Sequence, residues 1–264
     1  ELLLLSAQYD DSETIIRTIV PHETLVPFYN VFGGVHARRG EWLEALTNWN
    51  YVVKYAPADH MGYMYLAPLL LQLDDVAGYK NLRTQMLRQF GNTSDPRIAE
   101  RMVTASLLLP PAADEMAVIA RMADVATTGE TNSDGWGFNL FAKGFAEYRH
   151  GHFAPAAEWL EQIPPLDAGW NCRTEAYLVL AMAQFQLHQS EASHDSLAEA
   201  MHGLTQKLSK AGHLDEQWNA WIVDHLLMRE AEALMPVSAE TESGTGAGAS
   251  CFCGMNRSWP PHKF

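Results

Sequence analysis

Two Glu-x-x-His pairs, Glu147–His150 and Glu191–His194, have the spacing that puts a carboxylate and an imidazole on one helix face, as in di-iron bundles. Such a bundle also needs two further carboxylates on long, unbroken helices. Here Gly151 ends the first helix at its proposed ligand, and Glu191 stands at a helix start. Both pairs therefore read as surface polar residues near turns, as does His150-Gly151-His152. Cys251 and Cys253 have only His262 nearby, short of the four ligands a zinc site takes. Cys172 enters a helix, where the dipole lowers a thiol pKa, but no base accompanies it and the residue reads as structural. His22-Glu23 begins like a zinc-protease motif, yet Val26 occupies the place of the second His. Asp59-His60 and Asp224-His225 are sequence neighbours, which do not face each other on a helix. There is no G-x-S-x-G elbow, and Gly135-Trp136-Gly137 reads as an ordinary turn. No catalytic residue, metal ligand or cofactor is expected.

The charge balance narrows the remaining classes. Against 32 acidic residues stand 18 Lys and Arg, a net charge of −14. Nucleic-acid binding requires a clustered basic face, and none is present. The run Leu2–Leu5 is far shorter than the ~18 apolar residues of a membrane span. Three cysteines, Cys172, Cys251 and Cys253, make no disulfide framework, so a reducing, cytoplasmic setting is expected. Glu1 in place of Met implies a cut point inside a longer reading frame.

What must position any functional surface is a set of repeated helices. In Tyr29–Pro57, Tyr29, Phe32 and Gly33 make one helix, Gly40 breaks the chain, and Ala45, Trp49 and Val52 form the stripe of the next until Pro57 stops it. Tyr63, Leu66, Ala67 and Leu70 repeat the first half; Gly33 to Ala67 is a step of 34 residues. Asp74-Asp75 mark the second turn, and that unit's second helix ends near Phe90. A distorted pair follows. Asp95 caps its first helix with Pro96 at the first turn, Pro110-Pro111 ends that helix, and Ala113–Thr127 forms the second. Another unit starts near Phe138 with Leu140, Gly144, Gly151, Ala156 and Leu160, and stops at Pro164-Pro165. A weaker unit spans about Arg173–Leu208, with Leu180 standing 36 residues after Gly144. Leu214, Trp218, Trp221, Ile222, His225 and Leu226 predict a helix that covers the last repeat's open face. Residues 236–264 turn abruptly to Ser, Thr, Gly and Glu, a composition that reads as a disordered tail. The expected division is an N-terminal segment over 1–26, a repeat domain over 27–235 and this tail. Leu2–Tyr9 alone hints at a strand.

These features resemble the tetratricopeptide repeat. Four phrases are similar to the region C-terminal to the catalytic domain in planctomycete-type bacterial serine/threonine kinases: HARRGEWLEALTNW, the long stretch from YLAPLLLQLDD to RMVTASLLLP, FAKGFAEYRHGHFAPAAEWLEQI and WIVDHLLMREAEAL. Together they span most of residues 29–235. The resemblance implies an interaction or regulatory region of a bacterial signalling protein. The kinase's own signatures are missing: the chain has no Gly-rich phosphate loop, no H-R-D segment with its Asn, and no D-F-G.

The expected fold is all-α: a right-handed superhelical solenoid of tetratricopeptide-like antiparallel hairpins with a C-terminal capping helix. The first helix of each hairpin then lines a concave groove. By the repeat alignment that lining includes Asn30, Arg38, Met64, Gln72, Phe141, Tyr148, Tyr177 and Gln184. Aromatic and Met side chains suit apolar anchors, while Asn and Gln can hydrogen-bond an extended backbone. A non-catalytic scaffold binding a protein or peptide partner is the leading expectation. An enzyme using the groove and a spacer or homodimerising segment are the alternatives.

Overall fold

The computed structural model describes residues 11–18, 21, 24–129, 131, 135–163, 171–207, 214 and 217–235. The tail over 236–264 with Cys251, Cys253 and His262, the strand expected at Leu2–Tyr9, His22-Glu23 and Pro164-Pro165 lie outside the described residues.

Among the described residues every regular element is helical. A short helix α1 (11–18) precedes five antiparallel hairpins. They are α2 (Val26–Arg38) with α3 (Trp42–Tyr55), α4 (His60–Gln72) with α5 (Val76–Phe90), and α6 (Pro96–Ser106) with α7 (Ala113–Ala126). Next come α8 (Trp136–Arg149) with α9 (Phe153–Leu160), and α10 (Asn171–Gln186) with α11 (Ser190–Lys207). A last helix, α12 (Trp218–Leu234), follows. The hairpins stack into the expected right-handed solenoid, each packed on the next.

Turn chemistry explains why the chain reverses where it does. Gly40 and Gly151 adopt φ of 74° and 82°, conformations open to glycine at little cost. Asp74 and His188 take the same left-handed role at 58° and 60°. These four residues set one register for four hairpins. Seven residues before Gly40 and Gly151 stand Gly33 and Gly144, and both need to be small. A Cβ on Gly33 would lie 2.8 Å from the Trp49 indole, and one on Gly144 would lie 2.6 Å from Leu160 Cγ. Counting back from His188 puts Ala181, not Leu180, in the corresponding place. Ala181 is buried, and its carbonyl accepts the Ser193 hydroxyl at 2.9 Å. The last repeat is therefore one residue out of step with the sequence reading.

The distorted third hairpin forms as its sequence predicts. Asp95 Oδ1 accepts the N–H groups of Arg97 (2.9 Å) and Ile98 (3.3 Å), which caps α6. Its unusual Leu107–Ala112 connection is held from α5. The Tyr79 hydroxyl donates to Ala105 O at 3.0 Å, and Arg83 Nη1 donates to Leu109 O at 2.9 Å. Arg83 also pairs with Glu115 at 2.8 Å. Burial pushes the Tyr79 phenol up to about 12, so it stays a donor.

Candidate functional site: a concave face occupied by the last helix

The first helices α2, α4, α6, α8 and α10 line the inner side of the array, and α12 runs along that side. It covers the last hairpin, where Ser193 Oγ lies 3.2 Å from Met235 Sδ. It also reaches much further back. The Trp218 ring lies 5.4 Å from Tyr65 of α4, and Tyr65 in turn packs at 4.6 Å on Trp49. Just ahead of α12, the Leu214 N–H donates to Arg38 O at the end of α2, 2.9 Å away. In the middle, Arg149 of α8 clamps Glu230 through both terminal nitrogens, the Nη2–Oε2 bond being 2.7 Å. The same guanidinium donates from Nε to Leu107 O at 2.9 Å and lies over the Phe145 ring at 4.8 Å. Planar guanidinium geometry suits this bidentate grip, and the burial of Arg149 strengthens it.

The face of α12 turned to the array is deeply buried at Trp218, Trp221, Ile222, Val223, Leu227 and Met235. Burying one large apolar side chain is worth roughly 1.5–3 kcal/mol. Six such side chains make this a core contact, with the ordering entropy of the helix offsetting much of that gross gain. The helix is thus a structural part of the fold and not a cover that comes off.

This occupancy changes the reading of the eight groove candidates. Asn30, Arg38, Met64, Gln72 and Tyr177 are half-buried. Phe141, Tyr148 and Gln184 are buried and leave the list of surface residues for a packing reason. Phe141 stacks on Phe145, the Tyr148 hydroxyl reaches Met182 Sδ at 3.6 Å, and Gln184 Oε1 accepts the Ser196 hydroxyl at 2.8 Å. Burial holds the Tyr148 phenol at about 12. The residue missed is Arg149. Arg38 precedes Gly40 by two positions and Arg149 precedes Gly151 by two, so the repeat alignment would have placed Arg149, not Tyr148, opposite Arg38.

The metal-like motifs resolve into ordinary pairs. Glu147 contacts Lys143 at 2.6 Å and His152 at 2.8 Å, while His150 is exposed. Burial opposes ionisation of Glu147, but Lys143 and His152 win and lower its pKa. Glu191 and His194 are both exposed. Asp59 caps α4 by accepting Met61 N–H at 3.0 Å, and His60 meets Arg101 at 2.7 Å. His225 Nδ1 donates to Trp221 O at 2.7 Å, and Cys172 is buried. Among the described residues no three His, Cys, Asp or Glu converge as a metal cage would require. No described helix is long and apolar enough to cross a membrane.

Two further sites stand out electrostatically. Glu100 on α6 is buried, and desolvation raises its carboxyl to about 7 against the weaker pull of Arg101. At the other end, His36 is held between Glu13 of α1 at 2.7 Å and Glu41 at 2.5 Å. Arg17 of α1 adds a bond to Asn48 at 2.9 Å and lies 5.0 Å over the Tyr29 ring. Burial disfavours the charged imidazole, yet the two carboxylates outweigh it and raise the His36 pKa. Outside the concave face, α5 and α7 diverge around a cleft of about 790 Å³ lined by Lys80, Thr84, Arg88, Pro110, Pro111 and Val118.

No family model and no curated protein matches the chain. Solved structures of the MamA protein follow a similar course of helices. One crystal structure is 13% identical with a TM-score of 0.40, over 70% of this chain and 95% of its own. A second, MamA AMB-1, is 15% identical with a TM-score of 0.41, over 68% of this chain and 99% of its own. A third, the MamA RS-1 double mutant, has 12% identity and a TM-score of 0.41. At such identities and TM-scores the likeness is loose.

Proposed function

We propose that the chain is a non-catalytic scaffold that binds a partner protein or peptide on its concave side, beside α12. The observation that supports this is α12 itself. The inner surface holds a helix by an aromatic contact at Tyr65 and a charge pair at Arg149, the two chemistries that anchor most protein interfaces. Next to it, α2 and α4 present Asn30, Arg38, Met64 and Gln72 half-buried, and α10 presents Tyr177. Partner contact is assigned to these five residues.

The four phrases that resemble the region beyond the kinase domain in planctomycete-type proteins support a setting in bacterial signalling, in the cytoplasm. Reading the frame upstream of Glu1 tests that setting: a kinase domain there supports it, and an unrelated domain removes it. The binding role is tested by crosslinking in the native cell with the intact chain and with the charge-introducing variant Met64→Glu/Gln72→Glu. Loss of one crosslinked protein in the variant, with its helical content unchanged, supports the assignment. Retention of every crosslink places the interaction elsewhere.

A further inference from the structure

Away from the concave side, the cleft between α5 and α7 holds positive charge that the fold does not use. Three cations line it, Lys80, Arg83 and Arg88, and the fold spends only one of them. Arg83 is buried beneath the connection between α6 and α7. Its Nη1 donates to Leu109 O at 2.9 Å and its Nη2 pairs with Glu115 at 2.8 Å, while Nε has no acceptor. Glu115 is committed a second time, since it also accepts the Ala112 N–H at 2.9 Å. Arg121, one turn past Val118, ties α7 to the end of α5 by donating to Gly91 O at 2.9 Å and Asn92 Oδ1 at 3.1 Å. Val118 packs there so closely that a Cβ on Gly91 would lie 2.8 Å from its Cγ1. The two walls are thus fixed to each other through Arg83 and through Arg121.

Lys80 and Arg88 are different. Both are exposed on α5, and among the described residues neither pairs with a carboxylate. They are eight positions apart, which separates them by ~12 Å along the helix. Thr84 and Leu87 lie between them, and Pro111 and Val118 line the same cleft from the other side. The acid left at the cleft is Asp114, in the first turn of α7, where the helix dipole offsets part of its charge.

We infer that this cleft docks an extended acidic segment of a partner protein, with carboxylates four residues apart and an apolar side chain midway. Alternate side chains of an extended chain point the same way and each residue advances ~3.3 Å, so carboxylates at i and i+4 face one side ~13 Å apart. That spacing matches Lys80 and Arg88. The side chain at i+2 then meets Leu87, Pro111 and Val118, and Asn81 and Thr84 offer hydrogen bonds to the backbone. A nucleic acid fits less well. Two cations are too few to follow its phosphates, and among the described lining residues no aromatic ring offers a base a stacking platform. The surface is distinct from the concave side, so the inference goes beyond the function proposed above and the two fail separately.

The test is fluorescence anisotropy of the labelled peptide GSESLSEGS with the intact chain. Saturable binding is expected, at least fivefold tighter than for GSESLESGS, whose carboxylates are three apart, and for GSQSLSQGS, which has none. Lys80→Glu and Arg88→Glu should each weaken binding at least fivefold, by losing one ion pair and adding a like-charge contact. Their thermal melts should match the parent, since both side chains are exposed. Lys54→Glu, the same charge change on α3, should leave binding unaltered, and Asp114→Asn should tighten it about twofold. For the parent chain, raising salt from about 0.05 M to about 0.5 M should weaken binding at least fivefold. No saturable binding, equal affinity for the two acidic spacings, or indifference to Lys80→Glu overturns the inference. Inorganic phosphate displacing the label as well as unlabelled peptide does overturns it too, because the cleft would then hold a bare anion. So does a Lys80-dependent dimer in light scattering, because a second copy would then be the occupant. Loss of crosslinks in Met64→Glu/Gln72→Glu alongside failure here would leave the concave-side function standing.

Discussion

The first and last helices of the described array are held in opposite ways. At the C-terminal end, α12 seals the last hairpin and runs on across earlier first helices, with Trp218, Trp221, Ile222, Leu227 and Met235 buried and Arg149 locked onto Glu230. At the N-terminal end, α1 is pinned by titratable groups, Glu13 and Arg17 onto His36 and Asn48, and Phe28 and Val31 stay in solvent. One end is closed by apolar area that no ordinary change of pH removes. The other is held by charges that a change of pH can loosen. The two helices at the ends of the described array are thus held by different physics.

The largest expected effect breaks the sealed end. Trp218→Ala removes the ring that joins α12 to Tyr65, and should cost about 3–5 kcal/mol in denaturant unfolding. A loss below 1 kcal/mol would mean that α12 is loosely held after all. Arg149→Ala comes next. It strands Glu230 and Leu107 O together, and because Glu230 is partly exposed the cost is discounted to about 2 kcal/mol. The mid-array acid Glu100 gives an effect of similar size with the opposite sign. Its raised pKa means the folded state holds a proton that the unfolded chain releases, so stability falls as pH rises from the usual carboxylate range through about 7. Glu100→Gln should stabilise by about 2 kcal/mol at pH 8 and by almost nothing at pH 4.

The pinned end responds more gently and in its own pH window. His36 has a raised folded-state pKa, so its contribution is full below about 6.5, the ordinary imidazole value, and is lost as pH rises through the folded value. Once corrected for the base-catalysed intrinsic rate, the exchange protection of residues 11–18 should therefore fall toward alkaline pH while that of α12 does not. His36→Gln should remove this pH dependence. An equal loss of protection in both helices would erase the distinction between the ends. Val31→Ser, the smallest change, should alter stability by less than about 0.5 kcal/mol.

Much of this was legible in the amino acids, and what was not has identifiable causes. Hairpin boundaries followed from Gly40, Gly151, Pro57 and Asp95-Pro96, whose backbone preferences act locally. The fifth turn was hidden because His188 adopts a conformation more typical of glycine. That slip moved the small position from Ala181 to Leu180, and the groove candidates Tyr177 and Gln184 moved with it. The existence of α12 could be read from its apolar spacing. Its seat could not, because an amphipathic stripe says that a helix needs a partner surface and not which of five first helices supplies it. Arg149 was overlooked for the same reason: its partner Glu230 is 81 positions away.

A row of hairpins joined only to their neighbours can fray from either tip and flex like a spring. By meeting Arg38 at its entry, Tyr65 and Arg149 along the way and Ser193 at its finish, α12 works as a tie rod across that spring. Loss of any middle hairpin then strains the tie as well as two joints, so the chain should melt in one step instead of unzipping. The same rod postpones completion, since its longest contacts can close only after the helices they span have been laid down.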